Sequence, residues 1–452
     1  MNNFKTIILA AGKGTRMKSK LPKVLHKVCG KTMVECVIDE AVKCGSEGIC
    51  VVVGDKAEMV KDCLKDKGVE FALQAEQLGT GHAVMQAMDF IDEDKDILVL
   101  YGDTPLLKGE TFEKLISFHR EHKYGVSIIS AVVEDSAGYG HIIRDENGAF
   151  VKNVEYKDCS EEEKLVKEIN TGIYIFKGSE LKRALGLITN DNVQGEYYLP
   201  DTLEIILKGE FGADAFVAED AAEFSGVNSR VQLAEAEKIM RDRINLFHMT
   251  NGVTIINPDT TYIGADVEIG MDTIIYPGCV LEGKTVIGED CKVGPDCRLT
   301  DMILADNVSI QYTTAMESSV GNGTKVGPYA YIRPNCKIGE NIKVGDFVEV
   351  KNSVIGNGTK ISHLTYIGDS DVGERINFGC GTITVNYDGK KKFRTVVEDD
   401  VFVGCNANLI APVTVKKGSY VAAGSTVTDD VPEKNLAIAR SRQTNIEGWT
   451  KK

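Results

Sequence analysis

Along its first half the chain alternates short apolar runs, at 7–10, 49–53, 69–73, 97–100, 126–133 and 173–176, with stretches of mixed polarity at helical spacing. The runs are continuous rather than alternating, which is how strands buried on both faces read. Up to about residue 226 this predicts a Rossmann-like α/β domain, its sheet mixed but mostly parallel and covered on both sides. Residues 228–248 contain neither proline nor glycine and place Val231, Ala234, Ile239 and Leu246 at roughly helical spacing. A connecting helix over 228–250, stopped near Gly252, follows.

Beyond it the period becomes six. Ile263, Ile269, Ile275, Leu281, Ile287, Val293 and Leu299 keep it, and it resumes through Val320, Val326, Ile332, Ile338, Val344 and Val350. It slips by one at Ile355, runs to Ile367, slips again at Val372 and returns from Val397 to Val427. Small residues often stand fourth after the aliphatic one, as at Val267, Thr273, Cys279, Thr285, Cys291, Cys297 and Cys336. The expected domains are therefore 1–227, a linker helix over 228–250, a repeat domain over 251–437 and a tail over 438–452.

The first apolar run empties into Leu9-Ala10-Ala11-Gly12-Lys13-Gly14-Thr15-Arg16, with Lys23 close behind. That is the composition of a polyphosphate cradle. Gly12 and Gly14 lack the β-carbons that keep backbone away from a phosphate, and Lys13, Arg16 and Lys23 offset its charge. Ligands of such sheets bind beyond the carboxyl ends of the strands, where Tyr101-Gly102-Asp103 also falls. Asp103 either caps the next segment or faces that ligand.

Composition narrows the partners. Net charge of −15 opposes general nucleic-acid binding, so cations that hold phosphates must be concentrated locally. The twelve cysteines form no Cys-x-x-Cys pair, which argues against a zinc site or a disulfide framework. No segment reads as a membrane span or as a charged-then-apolar leader, and a cytoplasmic protein is expected.

Hexapeptides of this kind resemble the left-handed parallel β-helix, a triangular prism with three hexapeptides per coil. The hand comes from the resemblance, since general crossover rules favour a right-handed turn. Eighteen residues per coil stack outward side chains about 4.8 Å apart. Arg333 and Lys351, eighteen apart, then form a column of like charges that invites an anion. After the slip, Tyr366 stacks on Glu349 and His363 on Asp346, with Cys380 on the other side of His363. An outward histidine is either solvated or, beside such a grip, a base. The step from Thr384 to Val397 breaks the beat and predicts an external loop, Asn386 to Arg394, whose cations either bind or solubilise.

Nearly the whole chain resembles the bacterial bifunctional family of N-acetylglucosamine-1-phosphate uridylyltransferase and glucosamine-1-phosphate N-acetyltransferase, commonly called GlmU. The resemblance rests on 9–17, Gln74-Ala-Glu-Gln-Leu-Gly-Thr-Gly-His82, Tyr101-Gly-Asp103, Glu168-Ile-Asn-Thr-Gly172, Gln194-Gly-Glu-Tyr-Tyr198 and Gly226-Val-Asn228, in the family's order. Further on, Arg333-Pro334, His363-Leu-Thr-Tyr-Ile-Gly368, Gly381-Thr-Ile-Thr-Val-Asn-Tyr-Asp-Gly389 and Ala411-Pro-Val-Thr414 continue it.

The resemblance implies that Leu9 to Gly12, Gln74, Gly79, Thr80, Tyr101 and Gly102 surround a uridine nucleotide, Gln74 reading the uracil. Gly140, Glu155, Asn170 and Asn228 would hold the sugar, and Asp103 with Asn228 a Mg²⁺ ion. His82 is not carried over as a catalyst. In the repeat domain it implies His363 as catalytic base, with Arg333 and Lys351 on the sugar phosphate and Tyr366, Asn377 and Asn386 on the sugar. Acetyl-CoA would lie along Cys380, Asn386, Tyr387, Cys405, Ala423 and Arg440. A homotrimer whose neighbouring subunits complete that site is implied, as is a product that feeds peptidoglycan and lipopolysaccharide synthesis. Glu349 would help to orient the region. The chain departs from the family at Cys380 and Cys405, more usually alanine and serine, and at His141, often arginine. Two rival readings are a single-function nucleotidyltransferase with a purely structural β-helix, and a scaffold without turnover.

Overall fold

The computed structural model describes residues 3–192 and 194–450. The chain divides into two compact units, Met1–Met240 and Arg241–Lys452, the division falling within the long helix that follows the first unit's sheet.

In the first unit strands and helices alternate as β1 (Phe4–Ala10), α1 (Met33–Lys43), β2 (Ile49–Val53), α2 (Ala57–Leu64), β3 (Glu70–Leu73), α3 (Thr80–Met85), β4 (Asp96–Tyr101), α4 (Gly109–His122) and β5 (Val126–Val132). There follow β6 (His141–Arg144), β7 (Phe150–Val154), β8 (Glu168–Lys177), α5 (Gly178–Leu185), α6 (Asp201–Leu207), β9 (Ala213–Val217) and α7 (Arg230–Thr250). The main sheet has the order β9-β5-β8-β4-β1-β2-β3, with β6 and β7 attached to β8 as a hairpin.

Ile7 and Leu9 of β1 join one buried cluster while Ile8 and Ala10 join another, so both faces are covered. The sheet is mixed, as expected, though less parallel than the apolar runs suggest: β8 runs antiparallel to both β4 and β5, and the β6–β7 hairpin is antiparallel too. An apolar run records burial and carries no direction. Helix α1 begins at a reciprocal cap, Thr32 accepting from the Glu35 amide while the Glu35 side chain accepts from the Thr32 amide. Its buried Val34, Val37 and Ile38 pack in one cluster with Val24 and Leu25, which fixes the short turn that carries Lys23.

Helix α7 spans the expected residues but not with the expected face. Val231 and Leu246 are 68% and 62% exposed, while Ala236, Asn245 and His248 are buried. Polar groups make these anchors: the Cys29 amide donates to Glu237 Oε2 at 2.7 Å, and Asn245 Nδ2 donates to the Pro258 carbonyl at 3.0 Å.

The second unit is a parallel β-helix of the left-handed hexapeptide type, its three faces being sheets of eleven, ten and nine strands. The six-residue beat is the column of inward aliphatics, each of which contributes about 1.5–3 kcal/mol on burial. Leu304, Ile310 and Ala315 carry the column between Leu299 and Val320, where coils shortened to 16 or 17 residues hide the period. The insertion after Ile383–Val385 does leave the prism, which resumes at Thr395–Val397. Among the described residues no helix is long and apolar enough to cross a membrane.

Candidate active sites

In the first unit the candidate residues gather beyond the carboxyl ends of β1 and β4. Lys23 forms a short ion pair with Asp103 and donates to Asn228 Oδ1 at 2.9 Å. Arg16 donates to the same Asn228 oxygen, also at 2.9 Å. Asp103 therefore faces a cation, and the capping alternative falls away. The role expected of Gly14 changes: at φ +57 a β-carbon there would stand 2.6 Å from Lys23 Cβ. It makes room for the lysine stem, whereas Gly12 faces open space.

Two oxygens, Asp103 Oδ2 and Asn228 Oδ1, converge on one ammonium group. Both are hard donors of the kind Mg²⁺ takes when it is bound through one or two protein oxygens together with substrate phosphates. Among the described residues no cluster of three or more acidic, histidine or cysteine side chains could hold a metal alone. The pair thus fits a metal that arrives with a nucleotide.

Gln74 is buried, its amide donating to the Gly79 carbonyl at 3.0 Å and lying 3.2 Å from His82 Nδ1. His82 is thereby a support for Gln74. Tyr101 lies beside Gly172, and burial raises its phenol well above the ordinary value. Asn170 donates to Asn153 Oδ1 at 3.1 Å and to the Tyr174 hydroxyl at 2.9 Å. Burial raises the Glu155 carboxyl, against the opposing effect of Asn153. Asn153, which no motif marked, links Gly140, Glu155 and Asn170: a β-carbon on Gly140 would meet its Oδ1 at 2.8 Å.

In the second unit Asp346 and His363 are register partners, Nδ1 to Oδ1 at 2.5 Å. This hydrogen bond holds the Asp346 carboxyl below the usual carboxylate range. It leaves Nε2 of a half-exposed ring facing outward. On the next face Arg333 pairs with Glu349 at 3.0 Å and Lys351 with Asp369 at 3.4 Å, so carboxylates balance the column of cations. A third cation reaches it from the insertion. Lys392 lies against Lys351, and hydrogen bonding to that amine, reinforced by its like charge, pushes the Lys392 ammonium below the ordinary lysine value.

Asp369 was not marked by the sequence either. It is buried, which would push its carboxyl up, yet hydrogen bonds from Asn352 and Asn386 and the charge of Lys351 hold it below the usual value. Asn386, expected on sugar or coenzyme, spends its amide on Asp369 and on the Tyr366 hydroxyl at 3.4 Å. Tyr366 lies over Gly368, where a β-carbon would meet its hydroxyl at 2.3 Å. Asn377 lies on the first face and Tyr366 on the second, so outward groups of the expected sugar set look away from each other within one chain. Cys405 and Ala423 are exposed beside each other on successive coils with Cys380 partly exposed, and Arg440 runs past Gly424.

A nucleotidyl transferase family model matches residues 5–222, and a bacterial transferase hexapeptide model of six repeats matches 266–301 and 317–352. The chain is 56% identical over 451 residues to the bifunctional protein GlmU of Thermoanaerobacter pseudethanolicus, covering 99% of this chain and 98% of that protein. It belongs to the bifunctional GlmU family. The GlmU of Caldanaerobacter subterraneus is 55% identical over 99% of this chain and 98% of its own, and that of Clostridioides difficile 53% over 100% and 98%. Both sites described above lie within the span that these GlmU proteins share with the chain.

Proposed function

We propose that this GlmU-family chain makes UDP-N-acetylglucosamine in two steps, acetylating glucosamine 1-phosphate from acetyl-CoA and then joining N-acetylglucosamine 1-phosphate to UTP. The carrying observation is that one chain holds two chemically distinct clusters: Lys23, Asp103 and Asn228 in one unit, and in the other Asp346 with His363 and the cations Arg333, Lys351 and Lys392. A purely structural β-helix has no use for the second set, and a scaffold none for the first.

For uridylyl transfer, the phosphate of the sugar ester is already anionic near neutral pH and needs no general base. Its oxygen attacks the α-phosphorus of UTP, the bond to the bridging oxygen breaks, and pyrophosphate leaves in line. The chain aligns the two and supplies positive charge through Arg16 and Lys23. Leu9 to Gly12, Gln74, Gly79, Thr80, Tyr101 and Gly102 hold the nucleotide, and Gly140, Glu155, Asn170 and Asn228 the sugar. Asp103 and Asn228 would hold Mg²⁺, which when bound would supply charge neutralisation for the triphosphate.

For acetyl transfer the sugar ammonium must first lose a proton, and imidazole is the side chain suited to that near neutrality. Asp346 fixes the Nδ1–H form of His363, so Nε2 accepts the proton. The freed amine attacks the thioester carbonyl, and the coenzyme thiolate leaves and is protonated. Arg333, Lys351 and Lys392 hold the phosphate, and Tyr366, Asn377 and Asn386 line the sugar. Acetyl-CoA runs along Cys380, Asn386, Tyr387, Cys405, Ala423 and Arg440. Because Asn377 and Tyr366 face apart, one such site takes groups from two chains, and a closed homotrimer supplies three. We place the enzyme in the cytoplasm, with domains 1–227 and 251–437 joined by the helix.

The test is thiol release from acetyl-CoA and pyrophosphate release from UTP, each with its sugar phosphate and magnesium. His363→Ala should abolish only the first and Asp103→Asn only the second. Loss of wild-type thiol release alone would leave a single-function nucleotidyltransferase, and loss of both a scaffold.

A further inference from the structure

His141 opens β6 and is fully buried, yet its ring does not pack as an apolar group. Nδ1 lies 2.7 Å from the Glu163 carbonyl oxygen, and Nε2 lies 3.2 Å from the Ser136 carbonyl oxygen. A carbonyl oxygen only accepts, and a neutral imidazole has one N–H. In that form one ring lone pair would face a carbonyl lone pair inside the protein. The imidazolium form donates to both.

The two carbonyls belong to segments that build the expected sugar wall. Ser136 precedes Gly140, whose own carbonyl accepts from the Asn170 amide at 2.8 Å. Glu163 closes the loop that starts at Glu155. His141 is itself in register with Val154 and Ile169, so one ring ties both segments to the hairpin and to β8. The charged and titratable groups round it are accounted for. Glu155 and Asp158 lie on the loop, the Tyr156 ring is 5.8 Å away, and the Cys159 thiol is turned to the Val154 carbonyl. The Glu163 carboxylate is taken by Lys152 at 2.8 Å, Lys164 pairs with Glu161, and on the neighbouring strands Arg144 pairs with Glu168.

We propose that His141 is a positioning residue for the sugar-phosphate half of the uridylyl-transfer site, an imidazolium cross-tie that holds the 134–140 and 155–165 segments closed round Gly140, Glu155 and Asn170. The inference rests on the uridylyltransferase reading of that site. Loss of the proton frees one carbonyl and loosens the wall. The sugar phosphate is then held less well, while the nucleotide side, built on β1, β4 and α3, is untouched. Arginine is always charged and has donors to spare, so His141→Arg keeps the tie at any pH. His141→Phe fills the space and donates nothing.

The experiment measures KM for N-acetylglucosamine 1-phosphate and for UTP at about pH 6 and about pH 8.5 in the three proteins. The sugar phosphate KM of wild type, divided by that of His141→Arg, should rise between the two roughly three- to tenfold, the loss of one hydrogen bond. His141→Phe should start at the raised value, with kcat and the UTP KM nearly level throughout. In parallel, ring ¹⁵N shifts, assigned by their disappearance in His141→Phe, should show a doubly protonated ring at the lower pH. Matching KM profiles in wild type and His141→Arg, or a neutral ring at about pH 6, overturns the proposal. Absence of turnover in all three proteins would be a failure of the functional reading instead, and the nitrogen shifts would still decide the state of the ring.

Discussion

Asp346 and His363 are stacked on successive coils and joined by a 2.5 Å hydrogen bond from Nδ1 to Oδ1, so a carboxylate on one strand sets the direction of an imidazole on the next. The prism supplies the pairing, because register partners in parallel coils lie about 4.8 Å apart. Removing the carboxylate leaves the ring free to turn and to exchange its proton between nitrogens. Asp346→Asn should lower kcat for acetyl transfer by roughly 10- to 100-fold, within the range that positioned acid–base groups contribute. Uridylyl transfer by the same preparation should be unchanged. An equal fall in both activities would mean that the substitution unfolds the coil and says nothing of the base.

Lys23 is clasped by Asp103 and Asn228, the pair that fits a divalent cation. Substituting the lysine removes a charge that would meet the triphosphate, but spares the two oxygen donors. Lys23→Ala should therefore cut kcat/KM for UTP roughly 10²- to 10³-fold without raising the magnesium concentration needed for half-maximal rate. Asp103→Asn should raise that concentration. If Lys23→Ala shifts the magnesium dependence as much as Asp103→Asn does, the lysine and the metal are not separate groups in the site.

What could be read from the sequence follows from what periodicity encodes. Inward positions of the coil were visible because Ile263, Ile332 or Val403 must be aliphatic at fixed spacing, and a glycine-rich loop after a buried strand announced the phosphate site. The direction of individual strands was not visible, and both β8 and the β6–β7 hairpin pair antiparallel. The buried face of helix α7 was not visible either, because Glu237 and Asn245 anchor it by hydrogen bonds, which leave no apolar trace. Asn153 and Asp369 escaped for a similar reason, while Lys392 was visible only as one of several cations in the external loop. Each is a polar residue with ordinary neighbours in sequence, and its value lies in groups far along the chain that only the fold brings near.

Asn377 and Lys351 stand on different faces of the prism. If each site is shared, a chain lacking one group can be rescued by a chain lacking the other. Lys351→Ala and Asn377→Ala subunits, each nearly inactive in acetyl transfer alone, should recover about a quarter of wild-type activity when unfolded and refolded together in equal amounts, as random assembly dictates. Recovery no greater than the sum of the separate proteins would show that one chain makes the whole site.

Cys380 is partly exposed and Cys405 exposed, and apart from Cys63 the other cysteines are buried. In a Cys63→Ala background a bulky maleimide should therefore modify those two first and stop acetyl transfer while uridylyl transfer persists. Acetyl-CoA should protect them from labelling. Equal loss of both activities would remove the coenzyme from this edge of the prism.

His119 is buried behind the first sheet, its Nδ1 3.0 Å from the Ser127 hydroxyl. Burial pushes its imidazole down to about 4, against the pull of Asp96. The folded ring is neutral where the unfolded one, near 6.5, takes up a proton, so the unfolded state binds more protons between about 4 and 6.5. Stability of the first unit is thus full above pH 6.5 and falls as the pH drops toward 4, by an amount on the order of 3 kcal/mol. His119→Asn can keep the bond to Ser127 and does not titrate. Urea unfolding followed by the helical circular dichroism signal, which arises from α1 to α7, should show wild type losing stability over that interval and the variant losing less. Parallel losses in the two proteins would assign the acid sensitivity to other groups.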